Sequence, residues 1–142
     1  MAVDRAPIER RHWFVCEPQS RWLELSRRFA PDTLASSDQS LSILAVDAPA
    51  MVQRIGQSRV SVALWSLETE SACRAALPQL GRWMRRPAAV SVLHLVAVSP
   101  LLDADARCQL LAWPVTLLDR PEQLPRLEPL IRRFWQRHAA AT

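Results

Sequence analysis

Residues 90–98 read VSVLHLVAV, and this apolar run is the clearest indication of the fold. It is short for a helix, and it lacks the strict polar alternation of a strand with one face in water. Both features are typical of a strand that is buried on both faces of a parallel sheet. Similar runs lie at residues 12–16, 41–46, 60–65 and 115–118. The sequence therefore predicts five buried strands.

The segments between these runs have helical periodicity. The predicted helices cover residues 20–29, 48–55, 68–86, 102–111 and 123–138. Asp47 is expected to cap the second helix and Gly56 to end it. Pro78 is expected to kink the third helix or to start a new one, because proline lacks the amide that a helix needs.

Strict alternation of strands and helices predicts a parallel sheet with right-handed crossovers and helices on both faces. Five such units suit a flavodoxin-like (βα)5 doubly wound sheet with strand order 2-1-3-4-5. We predict one domain over residues 12–139, preceded by a loose N-terminal tail over residues 1–11. The polar stretch 31–40 is interpreted as a connection inside that domain.

The composition excludes several kinds of site. All 18 basic residues are arginine, and glycine occurs only at Gly56 and Gly81. A phosphate-binding loop that needs lysine and paired glycines is therefore excluded, as are Schiff-base chemistry and a Gly-rich dinucleotide loop. No apolar run reaches the ~18 residues of a membrane span, and the first residues do not resemble a signal peptide. A cytoplasmic location is expected.

The arginines, cysteines and histidines are dispersed along the sequence. The net charge is +4, and arginine pairs at 10–11, 27–28, 85–86 and 132–133 are expected near solvated helix ends. A nucleic-acid partner is not favoured, since no concentrated basic stripe occurs. The cysteines and histidines are far apart and show no ligand spacing, so free thiols and no metal site are expected. These residues are Cys16, Cys73, Cys108, His12, His94 and His138.

Three segments resemble the receiver domains of two-component response regulators. FVCEPQSRWL at 14–23 resembles the receiver opening V-V-D-D-E-P-x-x-R-x-L. VALWSL at 62–67 resembles the third strand, V-L-L-D-[LI], which ends in the phosphoacceptor aspartate, and VTLLDRPE at 115–122 resembles the fifth strand with its L-x-K-P-[FW]. Each motif alone is weak. Their order and spacing over nearly the whole chain carry the resemblance.

The residues at the family's phosphotransfer positions are altered together. The resemblance places the metal acids on Val15 and Cys16, or on Glu17 in a register shifted by one, so at most one carboxylate remains where Mg²⁺ favours several oxygen ligands. The acceptor position falls on Ser66, or on Trp65 if the register slips. The fourth-strand hydroxyl position falls on Val98 or Ser99. The family's lysine is replaced by Arg120, whose planar fork is not geometrically equivalent to an ammonium group.

The resemblance therefore implies a degenerate pseudo-receiver. Such a domain keeps the fold, uses no cofactor, is not an enzyme, and acts as a protein–protein interaction module in signalling without aspartyl phosphorylation. The alternative is a small flavodoxin-like ligand-binding domain or an enzyme of unknown substrate. A receiver with a displaced acceptor is less favoured, because Asp47 and Asp119 follow the second and fifth strands.

Roles are also expected for Trp65, for Arg120 and for a partner face. Trp65 is expected to plug the vacated pocket. Arg120 is expected either to bind an anion or a partner's carboxylate, or to form a salt bridge with Glu17, Glu68 or Asp119. The surface of the fourth helix, fifth strand and fifth helix is the family's usual partner and homodimer face. The residues expected there are Arg107, Trp113, Glu122 and Arg126, and an exposed tryptophan beside arginines is typical of an interface anchor.

Overall fold

One parallel sheet organises the chain. The computed structural model describes residues 9–34, 39–86 and 89–139. Its strands are β1 (Glu9–Cys16), β2 (Gln39–Ala45), β3 (Val60–Leu67), β4 (Ser91–Val98) and β5 (Val115–Leu118). They pair in parallel in the order β2-β1-β3-β4-β5. The predicted flavodoxin-like α/β fold and its strand order are confirmed.

Helices connect the strands and cover both faces of the sheet. They are α1 (Arg21–Phe29), α2 (Ala48–Gln57), α3 (Glu70–Met84), α4 (Ala104–Leu111), α5 (Gln123–Arg126) and α6 (Glu128–Ala139). A short 3₁₀ helix, Ala30–Thr33, follows α1 directly. Asp47 caps α2 as predicted, because its carboxylate accepts the amide of Ala50 at 2.8 Å. Within the ranges given above, no helix is long and apolar enough to cross a membrane.

The core has two layers because successive strand residues point to opposite faces of the sheet. On one face, Phe14 and Trp65 pack against α2, α3 and α4. On the other face, Trp13 and Leu64 pack against α1, α5 and α6. Strand β3 is buried from Ser61 to Leu67, as expected for the centre of a doubly wound sheet.

Two predicted boundaries were wrong. Strand β1 begins at Glu9, so it includes the last three residues that were assigned to the tail; the rest of that tail, residues 1–8, lies outside the described residues. The predicted helix over 123–138 is divided at Leu127 into α5 and α6. Pro125 and Pro129 flank this break, and neither can donate a backbone hydrogen bond to a continuous helix. By contrast, α3 runs through Pro78 as one helix and does not restart there.

Two arginine pairs do not lie at helix ends. Arg10 and Arg11 lie in β1, where Arg11 is buried, donates to the carbonyl oxygen of Trp135 at 3.3 Å, and stacks over its ring. The pair at residues 132–133 lies in the middle of α6. The pairs at 27–28 and 85–86 do lie in the last turn of α1 and directly after α3, as expected.

Gly56 does not end α2. The helix continues to Gln57, and no described glycine has a positive φ. The chain instead leaves the helix at Ser58, whose hydroxyl donates to the carbonyl oxygen of Arg54 at 2.9 Å. A Cβ at Gly56 would meet Trp83 at 3.6 Å, an ordinary van der Waals distance.

We expect Gly56→Ala to raise the free energy of unfolding by about 0.5–1 kcal/mol, because alanine restricts the unfolded chain and favours the helical backbone that Gly56 adopts in the last turn of α2. Urea unfolding followed by circular dichroism measures this. Gly81→Ala is the matched control. Its Cβ would lie 3.3 Å from the ring of Trp113, so its gain should be smaller or negative. An equal increase in the free energy of unfolding for both variants would contradict the inference that Gly81 is packed more tightly than Gly56.

Candidate functional site

The carboxyl edge of the sheet contains the residues that the resemblance selected. Cys16 ends β1, Ser66 lies one residue before the end of β3, Ser99 directly follows β4, and Arg120 lies two residues after β5. Ligands of open parallel sheets bind at this edge, in the crevice outside the strand ends. Since β4 separates β3 from β5, Arg120 is two strands away from Ser66.

Cys16 is a core residue. Its side chain is 7% exposed and packs in the cluster with Ala48 and Met51 of α2. Burial, together with the charges of Asp47 and Glu17, raises the pKa of the Cys16 thiol to about 11. The thiol therefore stays protonated near neutral pH, and a protonated thiol is a poor nucleophile and metal ligand.

Glu17 holds the start of α1. Its carboxylate accepts the amide of Leu23 at 2.8 Å, whereas Ser20, in the N-cap position, makes no side-chain cap. Burial raises the pKa of the Glu17 carboxyl above its ordinary value; the Leu23 and Trp22 amides oppose this shift, and the charge of Glu68 adds to it. Glu17 thus satisfies a backbone donor that the helix terminus would otherwise leave without a partner.

Glu68 is the central acid of this edge, a role that was not predicted from the sequence. One carboxylate oxygen accepts the indole N–H of Trp22 and the hydroxyl of Ser66, the latter at 3.2 Å, and the other forms an ion pair with Arg21. Ser66 and Glu68 are two residues apart, which is the spacing of side chains on one face of an extended chain. That spacing was the available sequence signal.

Trp65 does not plug a pocket at the carboxyl edge, and that expectation was wrong. Its indole N–H donates to Nδ1 of His94 at 3.1 Å. His94 is paired in register with Ala63, two residues before Trp65, so the indole leans back along the sheet, away from the carboxyl edge. Burial lowers the pKa of His94 to about 4, and the ring is neutral with its proton on Nε2.

Arg120 lies in an open, polar groove of about 870 Å³. The groove is lined by Pro100, Arg107, Asp119, Arg120, Glu122, Gln123 and Arg126. The structure therefore brings three of the four predicted interface residues together with Arg120. Among the described residues, Arg120 makes no ion pair with Glu17, Glu68 or Asp119. The backbone amides of Asp119 and Arg120 donate to the side chain of Gln123 at 2.6 and 3.1 Å, which fixes the loop.

Trp113 does not line this groove and is only partly exposed, so it is not the exposed anchor beside the arginines that was expected. It is half-buried against the core layer of α2, α3 and α4, and its ring covers Gly81 of α3. Because Gly81 has no side chain, the large indole of Trp113 can approach the helix closely. Trp113 is thus a packing residue.

A second concavity, of about 650 Å³, lies on the other side of the β4–α4 loop. Its lining is Leu67, Glu68, Thr69, Glu70, Cys73, Ser99, Leu101, Leu102 and Asp103. Ser99 is a turn residue here, because its hydroxyl accepts the amide of Leu101 at 3.1 Å and its carbonyl oxygen accepts Arg107 at 3.3 Å. No group of three or more His, Cys, Asp or Glu with metal-site geometry occurs among the residues that the structure describes.

Comparison with known proteins found no matching family model and no matching curated protein. Among solved structures, this chain is similar to a flavodoxin of Fusobacterium nucleatum bound to flavin mononucleotide, at 8% identity and a TM-score of 0.47, over 94% of this chain and 98% of that chain. A variant of that flavodoxin, also bound to flavin mononucleotide, gives 8% identity and a TM-score of 0.48, over 92% and 94%. The fold assignment here rests on strand order and register.

Proposed function

We propose that this chain is a pseudo-receiver, a protein–protein interaction module in signalling that works without aspartyl phosphorylation. The observation that carries the proposal is the bonding at the acceptor position. Ser66 stands there, is 4% exposed, and donates its hydroxyl to Glu68. A hydroxyl in this position cannot form the acyl phosphate of the receiver family, and here it is engaged inside the protein.

The neighbouring carboxylates support the same proposal. Glu68 is already bonded to Trp22 and Arg21, and Glu17 to the amide of Leu23. A Mg²⁺ ion would have to displace these donors, and the thiol of Cys16 adds no hard oxygen ligand. In this proposal, the acids have become part of the structure that joins α1 to the end of β3.

The groove around Arg120 supplies a surface for a protein partner. Arg120 and Arg126 are exposed, and Arg107 is half-buried beside them. Guanidinium groups bind carboxylates in a planar, two-pronged geometry, so this surface suits an acidic partner. The groove lies at the end of β5 and the start of α5, where it adjoins the face that receivers commonly use.

The first experiment tests the loss of phosphotransfer. ¹⁵N-labelled protein is titrated with Mg²⁺ and beryllofluoride, and the intact mass is measured after incubation with acetyl phosphate. We expect no shifts localised near Ser66 and Glu17, and no gain of a phosphoryl group. Mg²⁺-dependent shifts at these residues that disappear in Ser66→Ala would overturn the proposal.

The second experiment tests the interaction role. Immobilised wild-type chain, Arg120→Glu/Arg126→Glu and the matched control Arg27→Glu/Arg28→Glu are compared in pull-downs from the source organism. All four residues are exposed, so folding should be unaffected. We expect a partner that wild type and control retain and the groove variant loses. Identical retention by all three would contradict a binding role for the groove.

A further inference from the structure

Two concavities of opposite charge lie side by side on the carboxyl edge. The loop from Ser99 to Asp103 separates them: Leu101, Leu102 and Asp103 line the first, and Pro100 lines the second. The sheet order explains this arrangement, because the loop after β4 lies between the loops after β3 and β5. We call the first concavity the acidic pocket and the second the arginine groove.

The acidic pocket is lined by both apolar and acidic side chains. Leu67, Leu102 and Cys73 are apolar or weakly polar, while Glu68, Glu70 and Asp103 carry negative charge. Glu68 and Glu70 are bonded to Arg21 and Arg74, but Asp103 is exposed, caps no helix with its side chain, and forms no ion pair among the described residues.

The arginine groove has the complementary charge. Its three arginines outnumber its two carboxylates, Asp119 and Glu122. None of the three forms an ion pair among residues 9–34, 39–86 and 89–139, although both carboxylates line the same groove. The groove is therefore suited to carboxylates that come from another molecule.

Leu101 lies in the loop that separates the two concavities, lines the acidic pocket, and is 93% exposed. Full exposure of one leucine is common on monomers. This leucine, however, stands between an acidic and a basic surface, which is where the apolar centre of an interface with a polar rim would lie.

We infer that the carboxyl edge is a self-association surface, on which a second copy of this chain docks about a two-fold axis that runs along the β4–α4 loop. Such an axis places the acidic pocket of each copy against the arginine groove of the other. It also brings the two Leu101 side chains together on the axis. This two-fold rotation pairs each charged surface with a surface of opposite charge, and it covers the exposed Leu101. A second copy of the chain is therefore favoured over an unrelated partner.

The inference deepens the proposed function and rests on it, since it names one protein partner of the module. The surface is the carboxyl edge itself and not the outer face of α4, β5 and α6. The two ideas fail separately: phosphoryl transfer to Ser66 would overturn the function, whereas the assembly state decides the inference.

The experiment compares two charge-reversed variants of the full chain by analytical ultracentrifugation. Variant one is Glu70→Arg/Asp103→Arg, and variant two is Arg120→Glu/Arg126→Glu; Glu68 is left intact because it bonds to buried Trp22. All four substituted residues are exposed. Each variant alone should dimerise at least about tenfold more weakly than wild type, because like charges meet at both contacts. An equimolar mixture should recover dimers, since both contacts then join opposite charges.

Leu101→Asp should weaken the wild-type dimer, whereas Leu111→Asp, at a leucine that is 69% exposed on α4, should not. Added salt should weaken the dimer in proportion to the charge contacts. A chain that stays monomeric at every concentration would overturn the inference. So would charge-reversed variants that fail to associate when mixed while circular dichroism shows them folded. A chain that binds inorganic phosphate in the groove and stays monomeric would also overturn the inference, because the groove would then be a site for a free anion.

Discussion

Lowering the pH from 7 to 5 is expected to reduce the free energy of unfolding by about 2 kcal/mol through His94 alone, and by about 3 kcal/mol at pH 4. The folded-state pKa of His94 is about 4, below the ordinary 6.5, because burial penalises its charged form. As the pH falls, the unfolded chain therefore takes up this proton first. The contribution of neutral His94 to the free energy of unfolding is fully present well above pH 6.5 and is lost as the pH falls towards 4.

The bond from Trp65 strengthens this expectation. Nδ1 of His94 accepts the indole N–H, and protonation would turn that acceptor into a second donor facing a donor. Urea unfolding at a series of pH values between 7 and 5 measures the effect. His94→Asn is the control, because its amide oxygen can replace the acceptor and does not titrate. His12 and His138 also have lowered pKa values, but both remain in the control. Equal pH dependence in the two proteins would contradict the assignment to His94.

The fold was predictable because a strand that is buried on both faces of a sheet has apolar residues at nearly every position. Strand β4 is apolar except for Ser91 and His94, and its last five residues, His94 to Val98, are buried. Boundaries were less predictable because single contacts decide them. The hydroxyl of Ser58 bonds to the carbonyl oxygen of Arg54 where α2 ends. Gly56, two residues earlier, therefore stays helical and does not form the turn that ends the helix. Burial of Arg11 against Trp135 extends β1 into a charged stretch that resembles a tail.

The site was predictable in its position but not in its bonding. The carboxyl edge follows from parallel topology, and Arg107, Glu122 and Arg126 do meet Arg120 there. The partner of Trp65 did not follow from the sequence, because it lies on a neighbouring strand. Glu68 is separated from Trp22 by 46 residues, and only the packing of α1 against the edge brings the two together. A family resemblance directs attention to the family's own positions, and Glu68 is not one of them.

Glu68→Ala is expected to lower the free energy of unfolding by about 2–3 kcal/mol, a large effect for a residue whose side chain is 25% exposed. Trp22 is 1% exposed, and its indole N–H would lose its acceptor inside the protein. The ion pair with Arg21 adds little, because the arginine side chain is 54% exposed. Urea unfolding of the full chain measures the change. Glu70→Ala removes a carboxylate from an exposed pair with Arg74 and should stay within about 0.5 kcal/mol.

A double-mutant cycle separates the loss of this hydrogen bond from the loss of charge. Trp22→Phe removes the donor, so Glu68→Ala should cost much less in that background, and the coupling should reach about 1–2 kcal/mol. Glu68→Gln keeps an acceptor for the indole and should retain most of the stability. If Glu68→Gln is as damaging as Glu68→Ala and the cycle shows no coupling, the charge itself holds α1 to the edge. If the cycle shows the expected coupling, Glu68 is mainly a structural acceptor for the indole N–H group of Trp22. Losing the carboxylate is then costly because water cannot reach this buried N–H group and replace the lost hydrogen bond.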